Sequence, residues 1–486
     1  MHDIVVVGGG PGGYATAFRA SARGLDVALV EADKVGGTCL HRGCIPSKAV
    51  LHVAEVLEEV HRADVMGLKV TYDGLDGDAL SGFREGVITR MFKGLDFLVS
   101  KRTTRHHGHG RLVTGDGGRV EVEVTRSDAP RARGDDDGET TRVQGRHVVI
   151  ATGSYARSLP GVEIDGEVVQ TSDQALWFTQ PPRRAVIIGA GAIGMEFASM
   201  WRPMGSEVTV VEALERVLPL EDADCSAAVA KAYGQRGIEV LTSARVQSVE
   251  RDGDGGRVVV EVAGQERTIE ADRVLVATGR GPNTADIGAD DLGILDERGF
   301  VATDDWGATK VDGVWAVGDV RPTLALAHAA FAEGFAVADR IAGVDGAQPV
   351  DHTQTPRVTY CHPEVASVGL TEEQARERFG DGAVAVETSS LRHNAKGILA
   401  GTEGFVKVVH RTDGAPAGAA GSGGGPVVGV HIVGPHATDL IAEATLATTW
   451  EAVPAELAAI THAHPSLYEA MGEAFQSAAG LPFHGA

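Results

Sequence analysis

Two stretches of this chain carry the same run of apolar and polar positions. Ile4-Val5-Val6-Val7 is an unbroken apolar segment of strand length, the pattern of a strand buried on both faces of a parallel sheet. It runs into Gly8-Gly9-Gly10-Pro11-Gly12-Gly13, then into a helix through Arg23. A second apolar strand, Val27-Ala28-Leu29-Val30, follows and closes on Glu31. Ala185-Val186-Ile187-Ile188 repeats the design. It enters Gly189-Ala190-Gly191-Ala192-Ile193-Gly194, continues as a helix to Met204, and closes with Val208-Thr209-Val210-Val211 and Glu212. In each copy G-x-G-x-x-G follows a strand, and a carboxylate follows at the spacing of about 20 residues that a dinucleotide fingerprint requires. Helix N-terminal amides can then hold a pyrophosphate, while Glu31 or Glu212 accepts hydrogen bonds from a ribose.

Each copy is followed by another apolar strand ending in a glycine turn, Val148-Val149-Ile150-Ala151-Thr152-Gly153 and Val274-Leu275-Val276-Ala277-Thr278-Gly279. A third such turn, Val314-Trp315-Ala316-Val317-Gly318-Asp319, has no glycine loop of its own and is expected to return the chain to the first domain. From about Pro349 the pattern changes to shorter alternating strands and Ala-rich helices, which reads as a separate α+β domain. The expected division is 1–154 with 281–348 for the first domain, 155–280 for the second, and 349–486 for the last. Ser127 to Thr141 and Asp413 to Pro426 read as polar or glycine-rich insertions in hairpin loops.

With 486 residues the chain is long enough for two to four domains. A net charge of −23 argues against nucleic acid as a partner, since phosphate attraction needs clustered Lys and Arg. No apolar stretch is long enough to span a membrane, so no membrane association is expected. Four scattered cysteines do not make a secreted disulfide framework, and the chain is expected to be cytoplasmic.

Cys39-Leu40-His41-Arg42-Gly43-Cys44 carries the candidate chemistry. On an ideal helix two residues five apart would have Cα atoms about 8–9 Å apart, whereas a disulfide tolerates at most about 7 Å. Bonding Cys39 to Cys44 therefore needs a distorted turn, which Gly43 permits. A strained, accessible disulfide is the kind that exchanges with other thiols. Both sulfurs fall near a helix start, with Lys48 and Arg42 close by, a setting expected to favour thiolate. Cys225 and Cys361 stand alone and read as structural.

His462-Ala463-His464-Pro465 lacks the partners of a metal site, and His106-His107-Gly108-His109 reads as a loop or strand end, so no metal is expected. Thiol exchange needs a base that titrates near neutrality. His464 is the candidate, with Glu469 to orient it. Glu212 would repel a 2′-phosphate, which favours NAD over NADP, although Arg216 lies nearby.

Together these residues resemble the pyridine nucleotide–disulfide oxidoreductase family over nearly the full chain. The likeness is carried by Gly36 through Lys48, both glycine loops, Gly318-Asp319, Leu326-Ala327-His328-Ala329, Pro363 through Gly369, and His462 through Ser466. It implies an α/β fold of two Rossmann-like domains, the first binding FAD and the second NAD, with a C-terminal α+β dimerisation domain. The implied function is oxidation of protein-bound dihydrolipoamide, with a lipoyl domain of a 2-oxo acid dehydrogenase or glycine cleavage complex as partner. The alternative is a relative that reduces a small disulfide of the mycothione or glutathione type.

By the same resemblance, Cys39 would exchange with substrate sulfur and Cys44 would face the flavin, with Lys48 nearby and Glu196 as its ion partner. His464 and Glu469 would form the base pair, acting on the other subunit of a homodimer. FAD would also meet Gly8, Gly10, Gly13, Glu31, Thr38, Gly110, Thr152, Gly153, Ser154, Asp319 and Ala327. NAD would meet Gly189, Gly191, Gly194, Glu212, Val246 and Gly279. His41-Arg42, Ser466 and Tyr468 depart from the usual family residues, which puts the mouth of the substrate channel in question.

Overall fold

The structure, a computed structural model, describes residues 1–126, 140–414 and 424–484. Most of both expected insertions lies outside the described residues. The chain forms two compact units, one of residues 1–50, 76–157 and 279–352, the other of 51–75, 158–278 and 353–486.

In the first unit the strand His2–Val7 is the centre of a five-stranded sheet whose mapped pairings are all parallel. Val27–Glu31 lies on one side of it and Gly145–Ile150 on the other. Ile4, Val5 and Val6 are fully buried, so both faces of the strand contribute to the core. Each such side chain stabilises the unit by about 1.5–3 kcal/mol relative to exposure. That burial accounts for the unbroken apolar run. Val314–Ala316 pairs in parallel with Gly145–Ile150, so the third glycine turn does return the chain to this sheet.

The second unit repeats the arrangement around Arg184–Ile188, flanked in parallel by Glu207–Val211 and Arg273–Val276. The duplication runs deeper than the two loops. Each half also carries a three-stranded antiparallel meander, His109–Thr114 to Thr140–Val143 in the first and Ala244–Asp252 to Gln265–Ala271 in the second. The second helix ends at Trp201 rather than Met204. Pro203 has no N–H with which to continue the ladder. Beyond residue 353 a five-stranded antiparallel sheet is packed by the helices Ala437–Thr449 and Tyr468–Ala478, the expected α+β pattern.

Among the described residues no helix is long and apolar enough to cross a membrane.

Candidate active site

The two glycine loops are built alike, atom for atom in several respects. Gly8 and Gly189 have φ of +104° and +107°, and a Cβ on either would stand 2.3 or 2.5 Å from the carbonyl oxygen of Ala151 or Ala277. A Cβ on Gly13 or Gly194 would collide at 1.8 or 1.9 Å with the carbonyl of Gly8 or Gly189, where helix meets loop. The middle glycines differ. A Cβ on Gly191 meets nothing within 4 Å, and on Gly10 only Gly37 Cα at 3.9 Å. Open space over exposed amides at a helix N-terminus is where a pyrophosphate fits.

The paired carboxylates also match. Glu31 accepts from the Gly9 and Asp33 amides at 2.6 and 2.8 Å. Glu212 accepts from Ala190 and Leu214 at 2.7 and 2.9 Å. A carboxylate offers about four lone-pair sites. Each acid therefore ties its loop to its strand and keeps capacity for ribose hydroxyls. Both dinucleotide sites fit the groups the sequence implies.

The cysteine segment is seated against the first loop by Gly36, whose N–H donates to the Gly9 carbonyl at 2.8 Å. A Cβ on Gly37 would stand 2.8 Å from Gly10 Cα, so only glycine allows this approach. A short helix, Gly37–Arg42, carries Cys39; it breaks at Gly43, and Cys44 opens the next helix, Cys44–His61. The expected interruption of the helix is therefore present. A Cβ at Gly43 would lie 3.1 Å from the Thr38 carbonyl oxygen.

The two sulfurs are thiols here and not a disulfide, and they hydrogen-bond to each other. The expected thiolate character fails for Cys39 in this dithiol state. Its thiol is pushed up, first by the hydrogen bond with Cys44, then by burial and by the Cys44 charge, with Asp319 adding to the rise; Lys48 opposes this only in part. Arg42 turns instead to Asp33 at 3.1 Å. Tyr14, on the loop's helix, is raised to about 12 by burial and then by the fields of Cys39 and Cys44. His41 packs inward, its Nε2 2.9 Å from the Val35 carbonyl and its ring edge-on to Phe92 at 5.3 Å.

Asp319 is reached through a chain of contacts. Its Oδ2 accepts from the Ser154 hydroxyl at 2.6 Å, and Arg280 donates to that hydroxyl and to the Ser154 carbonyl, both at 2.7 Å. The Thr152-Gly153 turn is gripped by Asn283, which bonds both residues' carbonyls and accepts from the Thr152 hydroxyl. Arg280 and Asn283 were not singled out in the sequence. The run Arg280-Gly281-Pro282-Asn283 directly after the second Ala-Thr-Gly turn is the signal that could have found them. Gly110 packs between Val7 and Val30, and Ala327 opens the helix Ala327–Ile341.

In the second unit Glu196 is buried on the helix Ala192–Trp201 and accepts the Tyr360 amide at 3.1 Å. Val246 lies on the strand Ala244–Asp252 beside a register shift, packed against the core. Gly279, in the first unit, offers its carbonyl to the Arg157 amide. His464 Nδ1 lies 2.7 Å from Glu469 Oε1, and the Ser466 amide donates to the other oxygen at 2.8 Å. The imidazole is 80% exposed. The Ser466 N–H, and then His464, hold the Glu469 carboxyl below its ordinary range.

Comparison with known proteins agrees with this geometry. Residues 2–334 match the pyridine nucleotide-disulphide oxidoreductase family, and 355–475 match its dimerisation domain. The chain is 40% identical to a dihydrolipoyl dehydrogenase of Zymomonas mobilis and 36% identical to one of Bacillus subtilis, covering 99% of both partners in each pair. The crystal structure of LpdA from Mycobacterium tuberculosis superposes with a TM-score of 0.86 at 27% identity, covering 98% of this chain and 99% of that one. With its two fingerprints, its vicinal thiols and its matching C-terminal domain, the chain belongs to the pyridine nucleotide–disulphide oxidoreductases.

Proposed function

We propose that this protein oxidises the dihydrolipoamide of a lipoyl domain to lipoamide and reduces NAD+ to NADH, as a homodimer with FAD. The observation that carries the reading is the contact between the Cys39 and Cys44 thiols across the Gly43 break, seated on the first glycine loop.

In the working cycle the Cys39–Cys44 disulfide meets a substrate dithiol. His464 of the partner subunit takes a proton from one substrate thiol, and the thiolate attacks the Cys39 sulfur. A mixed disulfide forms and Cys44 leaves as thiolate. The second substrate thiol then attacks the mixed disulfide, the lipoyl ring closes, and Cys39 leaves with its electron pair and takes up a proton. The substrate has lost two electrons and the protein pair has gained them. FAD, when bound, supplies the route by which those two electrons leave the pair as a hydride for NAD+.

The remaining residues hold and orient. Glu469 fixes the imidazole, as a carboxylate does in other catalytic pairs, and the exposure of His464 suits a base offered to another chain. Lys48 would set a positive charge beside the sulfurs, where its field opposes in part the rise of the Cys39 thiol. Glu31 and Glu212 would take the two riboses. The lipoyl domain would come from a 2-oxo acid dehydrogenase or glycine cleavage complex.

The deciding experiment is a Cys44→Ser variant that keeps FAD, assayed with dihydrolipoamide and NAD+. NADH formation should vanish. Persistent turnover, or a preference of the wild-type protein for NADPH with a small disulfide, would overturn the reading.

A further inference from the structure

Glu333 is the most enclosed acid among the described residues of the first unit, with its side chain 1% exposed, and the chemistry above leaves it without a role. It lies on the helix Ala327–Ile341, one turn and a half past its start. A carboxylate placed so deep persists only if its lone pairs are filled. They are filled by four donors. Oε2 accepts the Gly318 amide at 2.6 Å. Oε1 accepts the Thr323 hydroxyl at 2.8 Å and lies 3.2 Å from Arg321 Nη1 and 3.1 Å from His352 Nε2. Burial pushes this carboxyl up, but His352, Arg321, the Gly318 amide and Thr323 together bring it below its ordinary value, so it is an anion at neutral pH.

The residue clamped by Glu333 immediately precedes Asp319. The short turn Gly318–Val320 is held on its other side by the Val317 amide, which donates to Ile150 in the sheet. The side chain of Asp319 is held separately by Ser154, itself gripped by Arg280. Backbone and carboxylate are thus held by separate contacts, and Ser154 occupies Oδ2 of Asp319.

We propose that Glu333 is a positioning residue for Asp319: by clamping the Gly318 amide it aims that carboxylate at FAD. The proposal rests on the reading that Asp319 contacts FAD. Arg321 serves the same clamp, since it also binds the Thr303 hydroxyl and the Asp304 carbonyl and so anchors the anion to the preceding loop.

The test is the rate of FAD release from the holoenzyme in Glu333→Gln, Asp319→Asn and the double variant, with adenine-nucleotide affinity at the second fingerprint as a control for folding. Gln keeps the shape and one acceptor but loses the charge that holds Arg321 and His352, so the variant tests the clamp without opening a cavity. FAD should leave about tenfold faster from E333Q and from D319N, and the double variant should be no faster than D319N. Residues acting through one another show this non-additivity, while independent ones multiply. E333Q within twofold of wild type, or a double variant in which the two effects multiply, overturns the proposal while leaving the Asp319 reading intact. D319N without effect overturns that reading and the proposal with it.

Discussion

Lys407 Nζ lies 2.8 Å from Asp222 Oδ1, and both side chains are 2% exposed. Asp224 and Glu372 approach the same ammonium at 2.6 and 2.8 Å. The cation stands on the C-terminal sheet, and Asp222 caps the helix Ala223–Gln235 that follows the second fingerprint. Burial alone would lower the Lys407 ammonium; the three carboxylates more than reverse this and raise it. Asp222 moves the opposite way: burial raises it, but Lys407 first, and then His431 and the Glu372 amide, bring it below the ordinary range.

Removing the cation leaves the buried Asp222 carboxylate with only the Asp224 and Glu372 amides and no opposing charge, and breaking a buried pair in this way costs about 3–5 kcal/mol. Lys407→Met is therefore expected to lower the midpoint of urea unfolding strongly. Asp224→Asn, at a side chain 62% exposed, should cost less than about 1 kcal/mol. Equal effects at the two positions would show that the pair is not the anchor. Because Asp222 is depressed, its contribution is present above the ordinary carboxylate range and is lost only as pH falls through its lowered value.

His431 gives a second, separable pH dependence. It is fully buried, and burial lowers it to about 4. An unfolded histidine titrates near 6.5, so as pH falls the unfolded chain takes the proton first. Stability should therefore decline between about pH 6.5 and 4, by about 3 kcal/mol across that window. His431→Gln removes the titration, and urea unfolding at a series of pH values should show a flatter slope there. An unchanged slope would place the titration elsewhere.

The parts of this protein legible in the sequence are those written locally. Ile4 through Glu31 and Ala185 through Glu212 contain their strand, loop, helix and acid within one short segment, so periodicity and glycine spacing were enough. The break at Gly43 was legible for the same reason. Arg280 and Ser154 lie 126 residues apart, and Thr152 and Asn283 lie 131 apart. Such contacts come from the crossing of the chain back into the first unit, which no local pattern encodes. The thiol environment is not legible in the sequence, because the rise in Cys39 comes first from its hydrogen bond with Cys44 and then from burial, both set by the fold, while Arg42 finds Asp33 instead.

His464 and Glu469 should differ in how much they contribute. Proton transfer by a positioned base is worth about 10²–10⁴-fold, so His464→Gln is expected to lower kcat with dihydrolipoamide by that order. Glu469→Gln keeps one acceptor for the Ser466 amide and loses only the charge facing the imidazole, and a loss of about 10–100-fold is expected from one charged hydrogen bond. Steady-state rates in both directions check this. A Glu469→Gln loss as large as that of His464→Gln would mean that the carboxylate does more than orient the ring.

Glu212 should determine cofactor choice through binding rather than chemistry. Two of its lone-pair sites are committed to Ala190 and Leu214, leaving the remainder for the ribose. Glu212→Ala removes hydrogen bonds to a charged acceptor worth about 1.5–3 kcal/mol, which corresponds to about 10–100-fold in KM for NAD+. It also removes the repulsion of a 2′-phosphate, so the preference for NAD+ over NADP+ should narrow, with kcat nearly unchanged. A raised KM with undiminished discrimination would point to another residue as the selector.

The glycines of the two loops allow the tightest test, because the structure separates those that protein atoms exclude from those that only a cofactor would exclude. Alanine at Gly13 or Gly194 would put its Cβ 1.8 or 1.9 Å from a backbone carbonyl oxygen. Neither atom can move without parting helix from strand, so G13A and G194A should unfold or fail to accumulate. Alanine at Gly10 or Gly191 meets no such obstacle: the nearest atom is 3.9 Å away in the first case and beyond 4 Å in the second. G10A and G191A should therefore fold with unfolding midpoints near wild type. The added methyl would instead occupy the approach path of a pyrophosphate, for which the second glycine of the fingerprint leaves room. G10A should be purified with little FAD, and G191A should retain FAD while binding NAD+ at least about tenfold more weakly, a loss of about 1.4 kcal/mol. Calorimetry and flavin absorbance read the two outcomes independently. The crossed pattern, one cofactor lost from each variant, is what two separate dinucleotide sites require; loss of FAD from G191A or of NAD+ binding alone from G10A would reverse the assignment of the loops.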